Sequence, residues 1–143
     1  MLYQTAKEFI ALHLEGDNSQ SKPTMQHFNM AFIDILTRCE PYTHISTFTG
    51  IEKDVFREIH PILGGDKEYL RLPNLNNISD TDPMDIDEAL ALAVVFFICS
   101  YFSKRQGGKR SYEERAEKII NIYTANQVVI DWLFYSKSNW VSL

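Results

Sequence analysis

Apolar residues recur at helical spacing from the start of this chain. Leu2, Ala6, Phe9, Ile10 and His13 share one face of a helix that closes near Gly16, and a polar loop follows over 17–21. Pro23 and Thr24 open a second helix. Its apolar face carries Met25, Phe28, Phe32, Ile35, Leu36 and Cys39, and Pro41 stops it. Residues 42–61, YTHISTFTGIEKDVFREIHP, read as a helix-turn-helix, with the unit reaching 63. Ile45 and small Ser46 suit a short first helix, Gly50 suits a sharp turn, and Val55, Phe56 and Ile59 recur at helical spacing in the second. Thr49 and Glu52 form a capping box, and Pro61 with Gly64 and Gly65 ends the unit.

Residues 66–80 read as an irregular connection in which 67–72 is a short turn of helix or an extended edge. Asp82 then caps a helix with Pro83 at its first position, and Asp85, Asp87 and Glu88 favour that positive end. This helix runs to about Arg105 and is apolar on most sides, which makes it the central one. Gly107 and Gly108 end it. Ser111 and Glu114 cap a last long helix, with Ile119, Ile122, Tyr123, Val129, Trp132 and Leu133 on its inner face. No period-two pattern stands out. The expected fold is all-α: one compact domain over 1–143, with five to six helices and a helix-turn-helix-like unit at 42–63.

Composition is that of an ordinary globular domain, with 45% hydrophobic and 23% charged residues in 143. The charge changes the picture more. Lys and Arg total 14 against 19 Asp and Glu, a formal net charge of -5, whereas a nucleic-acid binder is basic on at least one face. Cys39 and Cys99 lie in apolar helical stretches and read as buried free thiols in a reducing compartment. Residues 1–14 are amphipathic rather than basic then apolar, unlike a signal peptide, and the apolar run 89–99 is too short to span a bilayer. A soluble cytoplasmic protein, with no membrane partner, is expected.

Candidate chemistry is sparse. On the second helix of the 42–63 unit, Arg57 could pair with guanine and Lys53 with phosphate, while Glu52, Asp54 and Glu58 on the same surface would repel DNA. A basic cluster, Lys104, Arg105, Lys109 and Arg110, with Arg115 and Lys118 beyond it, suits either a solvated helix end or a phosphate-contacting patch. The acidic run Asp80, Asp82, Asp85, Asp87 and Glu88 lacks the Gly and the final Glu of a calcium loop, so helix capping explains it. The histidines at 13, 27, 44 and 60 fall at no metal-ligand spacing, and no nucleotide, protease or hydrolase motif is present. No metal, cofactor, small-molecule substrate or catalytic role is expected. Trp132, Phe134, Tyr135 and Trp140 read mainly as core, and any rings left outside would form a partner-binding patch.

Three segments carry a family resemblance: DILTRCEPYTHISTFTGIEKDVFREIHPILGG at 34–65, MDIDEALALAVVFFICSYF at 84–102 and IINIYTANQ at 119–127. In their order and loop lengths they resemble the FlhC family, the DNA-binding subunit of the bacterial flagellar master activator and its relatives on conjugative elements. The family's C-terminal zinc-binding cysteines are missing here, and its basic second helix is mostly acidic. The resemblance implies a transcription regulator that works with a partner subunit, with Lys53 and Arg57 as the carried-over DNA contacts.

The expected function is therefore a helix-turn-helix-like regulator that contacts double-stranded DNA through Lys53 and Arg57, assisted by Lys104, Arg105, Lys109 and Arg110, and acts with a protein partner or as a homo-oligomer. The rival is a small acidic protein that blocks a toxin or a nucleic-acid-binding enzyme. Glu52, Asp54 and Glu58 would then be its working surface, because complementary charge speeds docking.

Overall fold

Buried Tyr3, Ala6, Ile10 and Leu14, spaced by three and four, define the first helix, α1 (Tyr3–Glu15). The face is turned slightly from the expected one, so Leu2 and Phe9 lie outside. In this computed structural model the described residues are 1–15, 22–47, 54–59 and 67–141, with side chains described for all but 131 and 134–141. The start of α1 is satisfied by the chain far downstream. The Tyr3 N–H donates to the Asp82 carbonyl at 3.0 Å and the Gln4 N–H to Asp80 at 2.9 Å. Leu2 and Pro83 form an isolated antiparallel bridge beside them.

Helix α2 (Met25–Arg38) buries Phe28, Ala31, Phe32, Ile35 and Leu36. The His27 ring takes the place of a capping-box carboxylate: its Nδ1 accepts the Thr24 N–H at 3.0 Å. Helix α3 (Ala91–Phe102) is the central one. Ala91, Ala93, Val94, Val95, Phe97, Ile98, Cys99 and Ser100 are all buried, and it packs against α1, α2 and the last helix, α4 (Gln106–Val141).

The all-α expectation is overturned. Alongside four α-helices, the described residues form a three-stranded antiparallel sheet of β1 (Ile45–Thr47), β2 (Val55–Ile59) and β3 (Glu68–Arg71), in the order β1-β3-β2. The helix-turn-helix-like unit at 42–63 is not there. A 3-10 turn over Tyr42–His44 leads straight into β1, and the expected second helix is β2. Gly50, the Thr49–Glu52 capping box, Lys53 and 60–63 lie outside the described residues. Residues 67–72, expected as a turn or an edge, supply the middle strand, with Leu70 opposite both Ile45 and Arg57.

The helical look of Val55, Phe56 and Ile59 has a physical cause. A bulge between Val55 and Arg57 inserts one residue into the strand. Phe56 and Ile59, an odd number of positions apart, therefore both reach one small core with Leu36, Leu70 and Ile45. Asp54, at a φ of 62°, turns the chain into β2, and its carbonyl accepts the Leu72 N–H at 2.7 Å.

Two helix boundaries also move. No helix begins at Asp82 or Pro83. Residues 84–87 are irregular, Met84 and Ile86 drop into the main core, and a 3-10 turn over Glu88–Leu90 leads into α3. Gly107 and Gly108 do not break a helix but sit in the first turn of α4. A Cβ on Gly108 would lie 2.5 Å from Ser103 Oγ, so a larger residue at this corner between α3 and α4 requires the buried hydroxyl to shift. Among the described residues no helix is long and apolar enough to cross a membrane.

Candidate functional site

Arg57 does not face a groove. Its Nε donates to the Leu36 carbonyl at 3.2 Å and Nη2 to the Cys39 carbonyl at 3.3 Å, and the guanidinium lies 3.7 Å from Glu40. It closes the C-terminal end of α2, where carbonyls lack helical partners. Lys53 and Glu52 lie outside the described residues. Asp54 and Glu58 are exposed at the turn into β2 and on β2 itself. They no longer share the single helical face expected of them.

Lys104, Arg105, Lys109 and Arg110 do come together, exposed at the α3–α4 corner. The patch is diluted by acids. Glu113, Glu114 and Glu117 follow within two turns, and Arg110 pairs with Glu114 at 3.2 Å. Arg115 lies over the Phe96 and Tyr112 rings at 5.8 and 5.6 Å, which ties it to the body.

The acidic run serves the fold. Asp85 accepts two bonds from Arg71, at 2.6 and 2.7 Å, and the Asn74 N–H at 2.8 Å. Asp87 accepts the N–H groups of Tyr42 and Thr43, each at 3.0 Å, together with the Thr43 and Tyr123 hydroxyls. Burial acts to raise both carboxyls. The Arg71 guanidinium and the Asn74 N–H outweigh it at Asp85, and the Thr43 and Tyr123 donors at Asp87, so both sit below the usual carboxylate value. His44, wholly buried, places its ring nitrogens 2.9 Å from the Arg71 carbonyl and 2.6 Å from that of Asp85. These contacts join the sheet to the helical core.

The thiols offer no chemistry. Cys39 and Cys99 are free and buried, and burial pushes each up to about 12, far from a reactive thiolate. Among the described residues, no three His, Cys, Asp or Glu side chains converge as metal ligands.

The outstanding surface is on α4. With 36 residues this helix is about 54 Å long. Tyr112, Ala116, Ile119, Ile120 and Tyr123 pack against the body, and among the described side chains the last tie is Gln127, which donates to the Glu40 carbonyl at 2.6 Å. On the opposite side, Ile122, Val128, Val129, Trp132 and Leu133 are 55–63% exposed, and Ala125 is exposed between them. Ile130, in line with the packed face, is still 42% exposed. The expected inner positions Ile122, Val129, Trp132 and Leu133 therefore face outward. The side chains of Phe134, Tyr135 and Trp140 lie outside those described.

The signal for this surface was present in the residue order. From Ile119 onward two apolar stripes run along the helix, one packed and one exposed. Apolar side chains of this kind supply no group from which to build a reaction. What such a face can do is leave water against another apolar surface.

Comparison with protein-family models, with curated proteins and with solved structures finds no match for this chain.

Proposed function

We propose that this chain is a protein-interaction module that docks a polypeptide on the outer face of α4. One observation carries the reading: a contiguous row of large apolar side chains, Ile122, Val128, Val129, Trp132 and Leu133, each more than half exposed. A soluble domain rarely leaves such a row in water unless something covers it. Trp132 in this row has the size and shape of an interface anchor. The acidic balance of the chain suits a binder or inhibitor of proteins better than a reader of DNA.

The regulator expectation survives only in the form of acting through a partner, because the element meant to read bases is a strand and Arg57 is engaged by α2. No catalysis is part of the proposal. Two buried free thiols suit a reducing compartment, so we place the module in the cytoplasm.

The test is site-specific cross-linking with a photoreactive phenylalanine analogue in place of Trp132 and, as a control, of exposed Lys67. A discrete adduct from position 132 that disappears with Val129→Glu is expected, with none from position 67. Absence of any adduct from position 132 would refute the reading.

A further inference from the structure

The occupant of this face can be specified. We infer that it is a second copy of the same chain, whose α4 packs antiparallel so that Ile122 of one copy meets Trp132 of the other and Ala125 meets Val129. This rests on the reading of the α4 face as a docking surface.

Charge is the first argument. Twelve consecutive residues, 119–130, carry no charged side chain, between Lys118 and Asp131. Two copies of a chain with net charge -5 repel one another on average, so a self-contact needs a neutral strip of this kind. The strip covers the exposed apolar row from Ile122 to Val129, and Trp132 and Leu133 follow just past Asp131.

Spacing is the second. Ile122, Ala125, Val129 and Trp132 follow the three-four alternation of a coiled-coil seam, with β-branched residues at two positions and one small and one large residue at the others. The seam decides direction. Lys118 falls one step before Ile122 in the same register, so parallel pairing would set Lys118 against Lys118 and Trp132 against Trp132. Antiparallel pairing moves the two Lys118 side chains to opposite ends, seats the largest side chain on Ile122 and the smallest on Val129, and opposes the helix dipoles. A two-fold contact of this kind is closed, so it yields a dimer rather than a filament.

Area is the third. Ile122, Ala125, Val128, Val129, Trp132 and Leu133 together expose roughly 600 Å² per copy, so a pair that covers them fully buries about 1,200 Å², which is the lower bound of specific stable interfaces. A contact at that lower bound suits a dimer that forms and parts with concentration.

The experiment is light scattering coupled to gel filtration, from low micromolar to several hundred micromolar chain, with circular dichroism confirming that each variant stays helical. Both altered positions are exposed, so the fold tolerates the changes. Wild type is expected to shift from monomer to dimer mass. Val129→Glu and Ala125→Lys should each weaken the dimer at least tenfold. The double variant Ala125→Lys with Val129→Glu should recover it, because antiparallel packing sets each Lys beside a Glu of the other copy. Parallel packing would set like beside like and abolish it.

A wild-type monomer at every concentration would overturn self-pairing. The cross-link at position 132 would then separate the two ideas, since an adduct of some other mass keeps the docking surface and discards only the second copy. A wild-type dimer that the double variant fails to restore would overturn the antiparallel register.

Discussion

The Tyr123 hydroxyl donates its hydrogen to the Asp87 carboxylate, and the same hydroxyl oxygen accepts the Tyr42 N–H at 3.0 Å. One side chain thus ties α4 to both the chain entering the sheet and the chain entering α3. Removing the hydroxyl with Tyr123→Phe leaves Asp87 with one donor fewer and should cost about 1–2 kcal/mol. Asp87→Ala takes the acceptor from the Thr43 N–H and from the Thr43 and Tyr123 hydroxyls, while the Tyr42 N–H keeps the Tyr123 oxygen, and should cost more. Urea denaturation of the two variants, fitted with a common slope, measures both.

Acid should unfold this protein through the same carboxylates. Asp85 and Asp87 lie below the ordinary carboxylate value in the folded chain, burial notwithstanding, because Arg71 and the Thr43 and Tyr123 donors prefer the charged form. A group with a lowered folded value contributes stability that is complete above its unfolded value. That stability is lost as the pH falls through the folded one. The urea midpoint is therefore expected to hold near neutrality and to fall below about pH 4. In an Asp85→Asn, Asp87→Asn double variant the acid-side slope should be flatter and the neutral-pH stability lower.

Two adjacent glycines should respond to alanine with opposite signs. At Gly107 nothing lies within 4 Å of the place an added methyl would occupy, so Gly107→Ala should stabilise α4 by about 0.5–1 kcal/mol through helix propensity. At Gly108 the methyl would meet Ser103 Oγ at 2.5 Å, and Ser103 is buried. Gly108→Ala should destabilise, and Ser103→Ala in the same chain should recover part of the loss. Thermal denaturation of wild type, the two single variants and the double variant at 103 and 108 gives the coupling directly.

Arg57 is expected to matter for stability and not for nucleic acid. Arg57→Met keeps the aliphatic stem but leaves the Leu36 and Cys39 carbonyls without their donor, at a cost of about 1–2 kcal/mol. Fluorescence anisotropy with random duplex DNA at low salt should show the same weak or absent binding for the variant and for wild type. A large selective loss in the variant would return Arg57 to a DNA-contacting role.

The helices were legible because their apolar faces are long and regular. Phe28, Phe32, Ile35 and Leu36 in α2 could belong to little else. The strands were not, and the reason lies in particular residues. The bulge at Phe56 turns a strand into a counterfeit of helical spacing, and β1 is only three residues long, too short for alternation to register. Asp85 and Asp87 carried a second ambiguity. Acids before an apolar run suit a helix start, but here they hold Arg71, Thr43 and Tyr123 across the chain, a use visible only once those partners are adjacent. The candidate surface is visible in the residue order, but composition alone does not tell its side from the packed one. Ile122 and Tyr123 are neighbours that cannot share a helix face, and only Tyr123 meets the core.

The central claim is that Ile122 to Leu133 form a surface that leaves water on association. Amide hydrogen exchange of 122–133, measured on the same protein at dilute and at concentrated conditions, tests it most directly. Slower exchange across that segment at high concentration, absent in Val129→Glu and not matched in α1 or α2, is the expected result. Equal exchange at both concentrations in wild type would contradict it.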